Sequence, residues 1–490
     1  MFSDSRVLVA GAGVTGTSVA SALLEQGAHV TVTDAAADRL TGFPDGVATA
    51  AGLTTPPEGT DLVVTSPGWP PTAPLLVAAA EAGIEVIGEV ELAWRLGQTL
   101  PHPPAWLAVT GTDGKTTTVG MLESMLLAGG AKAVACGNIG LPVVDAVLGG
   151  YDVLAVELSS YQLHWQSSMQ ARAAAVLNIA EDHLEWHGTM AAYVADKGKI
   201  YDGAGLAVYN ADDVETERLA AGALERVSFT TGTPAAGQFG VSDGWLVHRD
   251  RAAGVWTERA AEAVSEANRR AAQGGKTSGT GSITGERSEP DQHDLRLTPV
   301  AEVRPVGPHN VANALAAAAL ARAYGVSPEA VRAGLTAFRP PAHRVELVAD
   351  EDGVRYVNDS KATNTHAAQR SLGAFESVVW IAGGLLHGAQ VADLVADAVP
   401  RLRGVVLIGA DQDVFAAALA RHAPDVPVHR VPSRDDEPML TAVRVANAMA
   451  SAGDVVLLAP AAKSHDLFAS YVHRGTAFAD AVRDVLAERG

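Results

Sequence analysis

Between Thr110 and Thr118 the chain runs Thr-Gly-Thr-Asp-Gly-Lys-Thr-Thr-Thr, small, hydroxylated and cationic residues that suit an anion. The apolar run Trp106–Val109 predicts a buried strand before it. Val119–Ala128, which ends at Gly129-Gly130, predicts a helix after it. A strand, a glycine turn and a helix opening on a lysine make a phosphate cradle. Backbone N–H groups and the positive helix end face the anion, Lys115 adds a point charge, and a threonine hydroxyl reaches Mg²⁺. The spacing is shorter than that of the general P-loop, which has a glycine where Val109 stands. A nucleoside triphosphate is the expected ligand.

Other polar residues stand where strands should end. Glu157 follows Val153–Val156 and is a candidate Mg²⁺ ligand, because Mg²⁺ takes one or two protein oxygens and fills its shell with phosphate and water. His183, in Glu181-Asp182-His183, follows an expected strand Ala173–Ile179. By position alone both residues are equally compatible with a solvated strand end. Lys197 and Lys199 taken singly read as solvated helix lysines. Arg344 and Lys361 can offset phosphate charge, as arginine fingers do.

The chain has 490 residues, enough for roughly three domains. Its 48% hydrophobic and 19% charged content is that of a soluble globular protein, and its net charge of −20 excludes nucleic acid or an anionic membrane as main partner. One cysteine, Cys136, excludes a disulfide framework, and neither a signal-like N-terminus nor a membrane-length apolar run occurs, so a cytoplasmic protein is expected. Residues 1–100 read as a Rossmann-like unit. Strand Arg6–Ala10 leads into Gly11-Ala12-Gly13-Val14-Thr15-Gly16 and a helix, and Asp34 follows 18 positions after Gly16. Pro101–Pro104 reads as a linker, and a P-loop-like central domain spans 105–340. Within it, 258–296 is a polar insertion too poor in apolar residues to form a core. A second Rossmann-like unit spans 342–490, with expected strands Val378–Ile381, Gly404–Ile408 and Val455–Leu458. The expected fold is therefore three-domain α/β.

Taken together, the phosphate loop, Glu157-Leu-Ser-Ser-Tyr-Gln-Leu, Asn178-Ile-Ala-Glu-Asp-His183, His309-Asn310-x-x-Asn313, His343-Arg344 and Asn358-Asp-Ser-Lys-Ala-Thr resemble the Mur ligase family over all but the insertion. Within it, they are most similar to the branch that adds D-glutamate to UDP-N-acetylmuramoyl-L-alanine in peptidoglycan synthesis. The resemblance implies an ATP-dependent amide ligase that works through an acyl phosphate, as a monomer with these small-molecule substrates. By position, Gly111, Thr112, Asp113, Gly114, Lys115, Thr116, Thr117, Asn313, Arg344 and Asp359 would hold ATP, and Lys361 joins Lys115 in catalysis. Thr116 and Glu157 would hold one Mg²⁺, and His183 a second, through a carbamylated lysine at Lys197, with Lys199 the alternative. Thr15, Gly16 and Asp34 would take the uridine diphosphate. Asn138, Ser159 and Gln162 would take the muramoyl part, and Thr363, His387, Ser464 and Tyr471 the amino acid.

The pattern departs from the family at the amino-acid subsite. His387 stands where a lysine is usual, and Lys463-Ser464-His465-Asp466 where a small residue usually precedes the aspartate. A ligase of the same fold that adds another amino acid is therefore the alternative. An NAD-dependent oxidoreductase built on Gly11–Gly16 would leave the phosphate loop unexplained, and a non-catalytic sensor would not need a second metal site.

Overall fold

The computed structural model describes residues 2–249, 294–340, 342–432 and 435–488. Most of the 258–296 insertion lies outside them. Residues 294–296 instead open a strand, because Asp294 pairs with Arg249 at 2.7 Å and Leu297 is buried.

The first sheet comprises β1 (Arg6–Ala10), β2 (His29–Asp34), β3 (Ala48–Ala51), β4 (Leu62–Thr65) and β5 (Glu85–Gly88), all parallel, in the order β3-β2-β1-β4-β5. The second comprises β6 (Ala105–Thr110), β7 (Ala133–Gly137), β8 (Val153–Glu157), β9 (Ala173–Val176), β10 (Ala207–Asn210), β11 (Arg226–Phe229), β12 (Gln238–Ser242), β13 (Trp245–Arg249) and β14 (Asp294–Pro299). Its order is β14-β13-β12-β11-β10-β9-β6-β8-β7, with β12–β14 antiparallel. The third comprises β15 (Glu346–Glu351), β16 (Val354–Asn358), β17 (Val378–Gly383), β18 (Leu402–Ile408), β19 (Val428–Arg430) and β20 (Val455–Leu458), in the order β15-β16-β20-β17-β18-β19. Strands covered by helices on both faces read as continuous apolar runs, which is why β6 and β17 are almost wholly buried.

Chain order reverses around β1 in the first sheet and around β6 in the second, and ligand crevices in open α/β sheets lie at such switch points. The Gly11–Gly16 turn and the Thr110–Thr116 loop leave the carboxyl ends of those two strands. The expected strand to Ile179 stops at Val176 instead. Beyond it Leu177 and Asn178 turn onto the phosphate loop, where the Thr112 N–H donates to the Asn178 carbonyl at 3.0 Å.

The chain divides into two compact units, Met1–Val303 with Ala312–Phe338, and Arg304–Val311 with Arg339–Gly490. The first two sheets therefore share one unit, joined through the helix Glu89–Gly97. Glu91 accepts from the N–H groups of Ser167 and Ser168, each at 2.9 Å, and Glu89 accepts from the Val144 N–H at 3.2 Å. In the second unit Trp380 is fully buried and its indole N–H donates to the Ala459 carbonyl at 2.7 Å. Among the described residues no helix is long and apolar enough to cross a membrane.

Burial pushes the Glu89 carboxyl up to about 7, from 4.5 in an open chain. The unfolded chain gives up this proton first, so stability falls as pH rises through that interval, by about 3 kcal/mol in total. Glu89→Gln should flatten the fall. Urea midpoints of wild type and variant at pH 5 and pH 8 should diverge in the variant's favour only at pH 8, and equal slopes would place the carboxyl in an ordinary environment.

Candidate active site

Strand register assembles the site. Val109 and Gly137 both lie opposite Glu157, so the phosphate loop, Glu157 and Asn138 leave the sheet side by side. Gly114 has φ +83°, and a Cβ there would lie 2.3 Å from the Asn313 carboxamide oxygen, so the turn needs glycine. The helix Lys115–Ala128 starts immediately after it, and its first-turn residues Thr116 and Thr117 are buried. Thr116 donates its hydroxyl to Glu157 Oε2 at 2.7 Å, and Asn138 donates to Glu157 Oε1 at 2.8 Å. Hydroxyl and carboxylate oxygens at a helix start are hard donors of the kind Mg²⁺ takes, with phosphate and water completing its shell. Among the described residues no group of three or more His, Cys, Asp or Glu side chains converges on a metal position.

Asn178 clamps the loop from behind. Its carboxamide oxygen accepts from the Asp113 N–H at 2.9 Å, and its amide donates to the Asp113 carbonyl at 3.0 Å. Thr112 shares a hydrogen bond with the Tyr193 hydroxyl at 2.9 Å and accepts from the Ala180 N–H. Lys115 folds back on its own loop, donating to the carbonyls of Gly111 at 3.0 Å and Thr112 at 2.8 Å.

Lys197 lies beneath the same loop, buried, with Nζ 2.8 Å from the Gly111 carbonyl and 4.7 Å from the centre of the Tyr193 ring. Burial, reinforced by the charge of Lys115, holds its pKa well below the ordinary lysine value and favours the neutral amine. Lys199 is placed differently. It pairs with Asp196 at 2.8 Å and donates to the His164 carbonyl. His183 is part-exposed, in a left-handed conformation (φ 55°), 3.4 Å from Asp182 and 3.6 Å from Glu185.

Several other candidates are already paired. Ser159 and Gln162 form a reciprocal cap at the start of the helix Ser160–His164. Asp34 accepts from the N–H groups of Ala12 and Ala36, each at 2.9 Å. Although burial raises its pKa, these bonds hold it below the usual range. Thr15 lies in the first turn of the helix Val14–Glu25. Gly16 packs so closely that a Cβ would meet the Gly11 carbonyl at 1.8 Å.

In the second unit the loops after β16, β17 and β20, and the turn before β15, carry the remaining candidates. Lys361 Nζ sits 4.0 Å above the Tyr471 ring, and Asp359 accepts from the Val345 N–H at 3.3 Å. Arg474 is buried and binds both the Ser360 hydroxyl (3.0 Å) and the Ala462 carbonyl (3.0 Å), tying Asp359–Thr363 to the loop that carries the buried Ser464. Arg344 is half-buried within a tight turn between His343 and Val345, both with positive φ. Leu385 and Lys463 pair across these loops, and both His387 and Lys463 are exposed.

Tyr193, His187 and Asp196 escaped a sequence reading that followed phosphate-loop residues, and Asn178 was noted only as part of a motif, without a role. The available signal was helical spacing, which puts Tyr193 on the same face as Lys197.

Three family models match the chain: the Mur ligase MurD-like N-terminal domain at residues 5–88, the Mur ligase middle domain at 109–243 and the Mur ligase glutamate ligase domain at 343–462. UDP-N-acetylmuramoylalanine–D-glutamate ligase of Streptomyces coelicolor is 51% identical, covering 99% of each chain, and the Thermobifida fusca protein of the same name is 50% identical, covering 98% of each. Among solved structures, UDP-N-acetylmuramate-alanine ligase of Thermotoga maritima has a TM-score of 0.55 at 17% identity, covering 98% of this chain and 99% of its own. A pseudomurein peptide ligase of Methanothermus fervidus has a TM-score of 0.55 at 15% identity, covering 99% of this chain and 100% of its own. Both share the fold.

Gly114→Ala should weaken ATP binding by at least about tenfold, since the added methyl must displace Asn313 or distort the loop. Titration calorimetry against Mg-ATP checks this, and unchanged affinity would show that the turn has slack.

Proposed function

The chain belongs to the Mur ligase family, and we propose that it joins D-glutamate to the L-alanyl carboxylate of UDP-N-acetylmuramoyl-L-alanine, driven by ATP. Identity of about one half over nearly the whole length to ligases named for this reaction supports the substrates. The Thr116–Glu157 pair at the mouth of the phosphate loop supports the chemistry and is the observation that carries it.

A carboxylate is a poor electrophile. Transfer of the ATP γ-phosphoryl group to it gives an acyl phosphate and ADP. The amine of D-glutamate then attacks the acyl carbon, and the tetrahedral intermediate expels phosphate. Lys115 would exchange the carbonyls of Gly111 and Thr112 for phosphate oxygens and stabilise the transferring group. Thr116 with Glu157, and His183 with a carbamylated Lys197, are the residues to hold two Mg²⁺ ions, whose chemistry is to neutralise phosphate charge. The neutral Lys197 amine is the form that adds carbon dioxide, and its carbamate would regain an anion at a position now served by an amine. Asn313, Arg344, Asp359 and Lys361 are assigned to ATP and the transferring phosphoryl group. Thr15, Gly16 and Asp34 are assigned to uridine diphosphate, and Asn138, Ser159 and Gln162 to the muramoyl part. Thr363, His387, Ser464 and Tyr471 are assigned to D-glutamate. Residues 1–100, 105–340 and 342–490 divide these tasks.

Phosphate release from ATP with UDP-N-acetylmuramoyl-L-alanine and a panel of amino acids tests the proposal. Turnover with D-glutamate is expected. Turnover only with another amino acid would keep the ligase and shift its specificity, with exposed His387 and Lys463 the residues to exchange next. Lys115→Ala should lower kcat by about 10²–10³ with the fold intact by circular dichroism. Lys197→Ala should be inactive and partly restored by a short carboxylate in the buffer. If Lys199→Ala behaves this way instead, the carbamate belongs two residues on.

A further inference from the structure

The segment after β9 carries a buried polar bridge that the ligase chemistry leaves unused. The His187 side chain is buried at the end of the short turn Leu184–His187, with Nε2 2.9 Å from the Ser160 hydroxyl and Nδ1 3.1 Å from Asp196 Oδ2. Its ring stacks on Tyr161 (centroids 5.6 Å apart, 17° between planes), with Tyr193 edge-on at 5.3 Å. Burial holds its pKa below the ordinary histidine value, although Asp196 raises it, and this favours the neutral ring. The carboxylate partner then fixes the tautomer: Nδ1–H donates to Asp196, and Nε2 accepts from Ser160. Serine, histidine and aspartate are disposed as in a hydrolytic triad, but Ser160 is only 2% exposed and offers no nucleophile to a substrate.

What the bridge connects gives it a use. Ser160 follows Ser159 and opens the helix that contains Gln162. His187 lies one turn beyond His183, and Asp196 immediately precedes Lys197. Asp196 is also held by His164 at 2.8 Å and Lys199 at 2.8 Å, which tie it to the Ser160–His164 helix and to its own helix. Among the described residues, only the side-chain bond from His187 ties Asp196 to the turn that follows His183. We propose that His187 is a positioning residue of the amide-forming reaction, holding His183 in place relative to Lys197 through the Ser160–His187–Asp196 bridge.

This inference deepens the ligase assignment and rests on it. Asparagine places an amide N–H donor where His187 has Nδ1–H, and glutamine can place its carboxamide oxygen as an acceptor where it has Nε2. His187→Asn therefore keeps the Asp196 bond and loses that to Ser160, whereas His187→Gln does the reverse. His187→Ala should lower kcat on the order of 100-fold and raise the Mg²⁺ concentration for half-maximal rate about tenfold. The KM for ATP should stay within a few-fold and melting within a few degrees. His187→Asn should recover most of kcat and His187→Gln little. A readout independent of turnover is hydrogen exchange in the unliganded protein, where Ala and Gln should speed exchange across 184–198 and Asn should not. Retained kcat in His187→Ala, or equal behaviour of Asn and Gln in both assays, would overturn the positioning role. If the wild type forms no amide with any amino acid, the ligase assignment falls, and the exchange pattern alone then decides whether the bridge holds the turn.

Discussion

The carbonyl oxygen of Gly111 is the point around which the first unit's site is organised. It accepts from Lys197 at 2.8 Å and from Lys115 at 3.0 Å. Burial disfavours a charge at Lys197, and two ammonium groups on one acceptor repel each other, so the neutral amine is favoured there. Depth separates the two lysines. Lys197 is buried, while Lys115 is only half-buried at the helix start. The contrast between a half-buried lysine at the helix start and a buried, neutral one beneath the loop follows from that shared oxygen. Asn178 and Tyr193 hold the same loop through bonds that involve neither lysine.

Much of this was visible in the residues themselves. Strands buried on both faces advertise themselves as apolar runs, so the cores of β6, β8, β17, β18 and β20 were legible, as was the loop after β6. What stayed hidden was pairing across long separations. Nothing near Glu89 announces that its partner is the Val144 N–H, 55 residues on, and nothing near Asn178 announces that it will clasp Asp113. The strand expected through Ile179 ended early for the same reason, since a distant loop claimed its backbone. Lys197 and Lys199 are alike in composition and spacing. Two positions, roughly half a helical turn, separate their fates, sending one under the phosphate loop and the other to Asp196.

The junction between the first two sheets shows how context divides similar residues. Glu89 and Glu91 lie two positions apart on one helix, and both are buried. Burial raises the pKa of each. Glu91, however, gathers the N–H groups of Ser167 and Ser168, the Ser168 hydroxyl and Arg95, and stays below the ordinary range. Glu89 meets mainly backbone N–H groups at the start of Val143–Leu148, with Asp145 nearby, and is pushed up to about 7. One carboxylate fastens the sheets together, and its neighbour opposes the attachment once ionised.

The reciprocal cap of Ser159 and Gln162 has a thermodynamic corollary. These side chains satisfy each other, as do Asp34 with the Ala12 amide and Asn138 with Glu157. A sugar nucleotide reaching them would exchange partners rather than fill vacancies, and each swap nets only a fraction of a hydrogen bond's gross strength. Affinity at such positions is therefore modest for the correct molecule. It would be unfavourable for a close mimic that breaks the internal pair and offers nothing back, so the bonds already present would act against impostors at any of these positions that a ligand reaches.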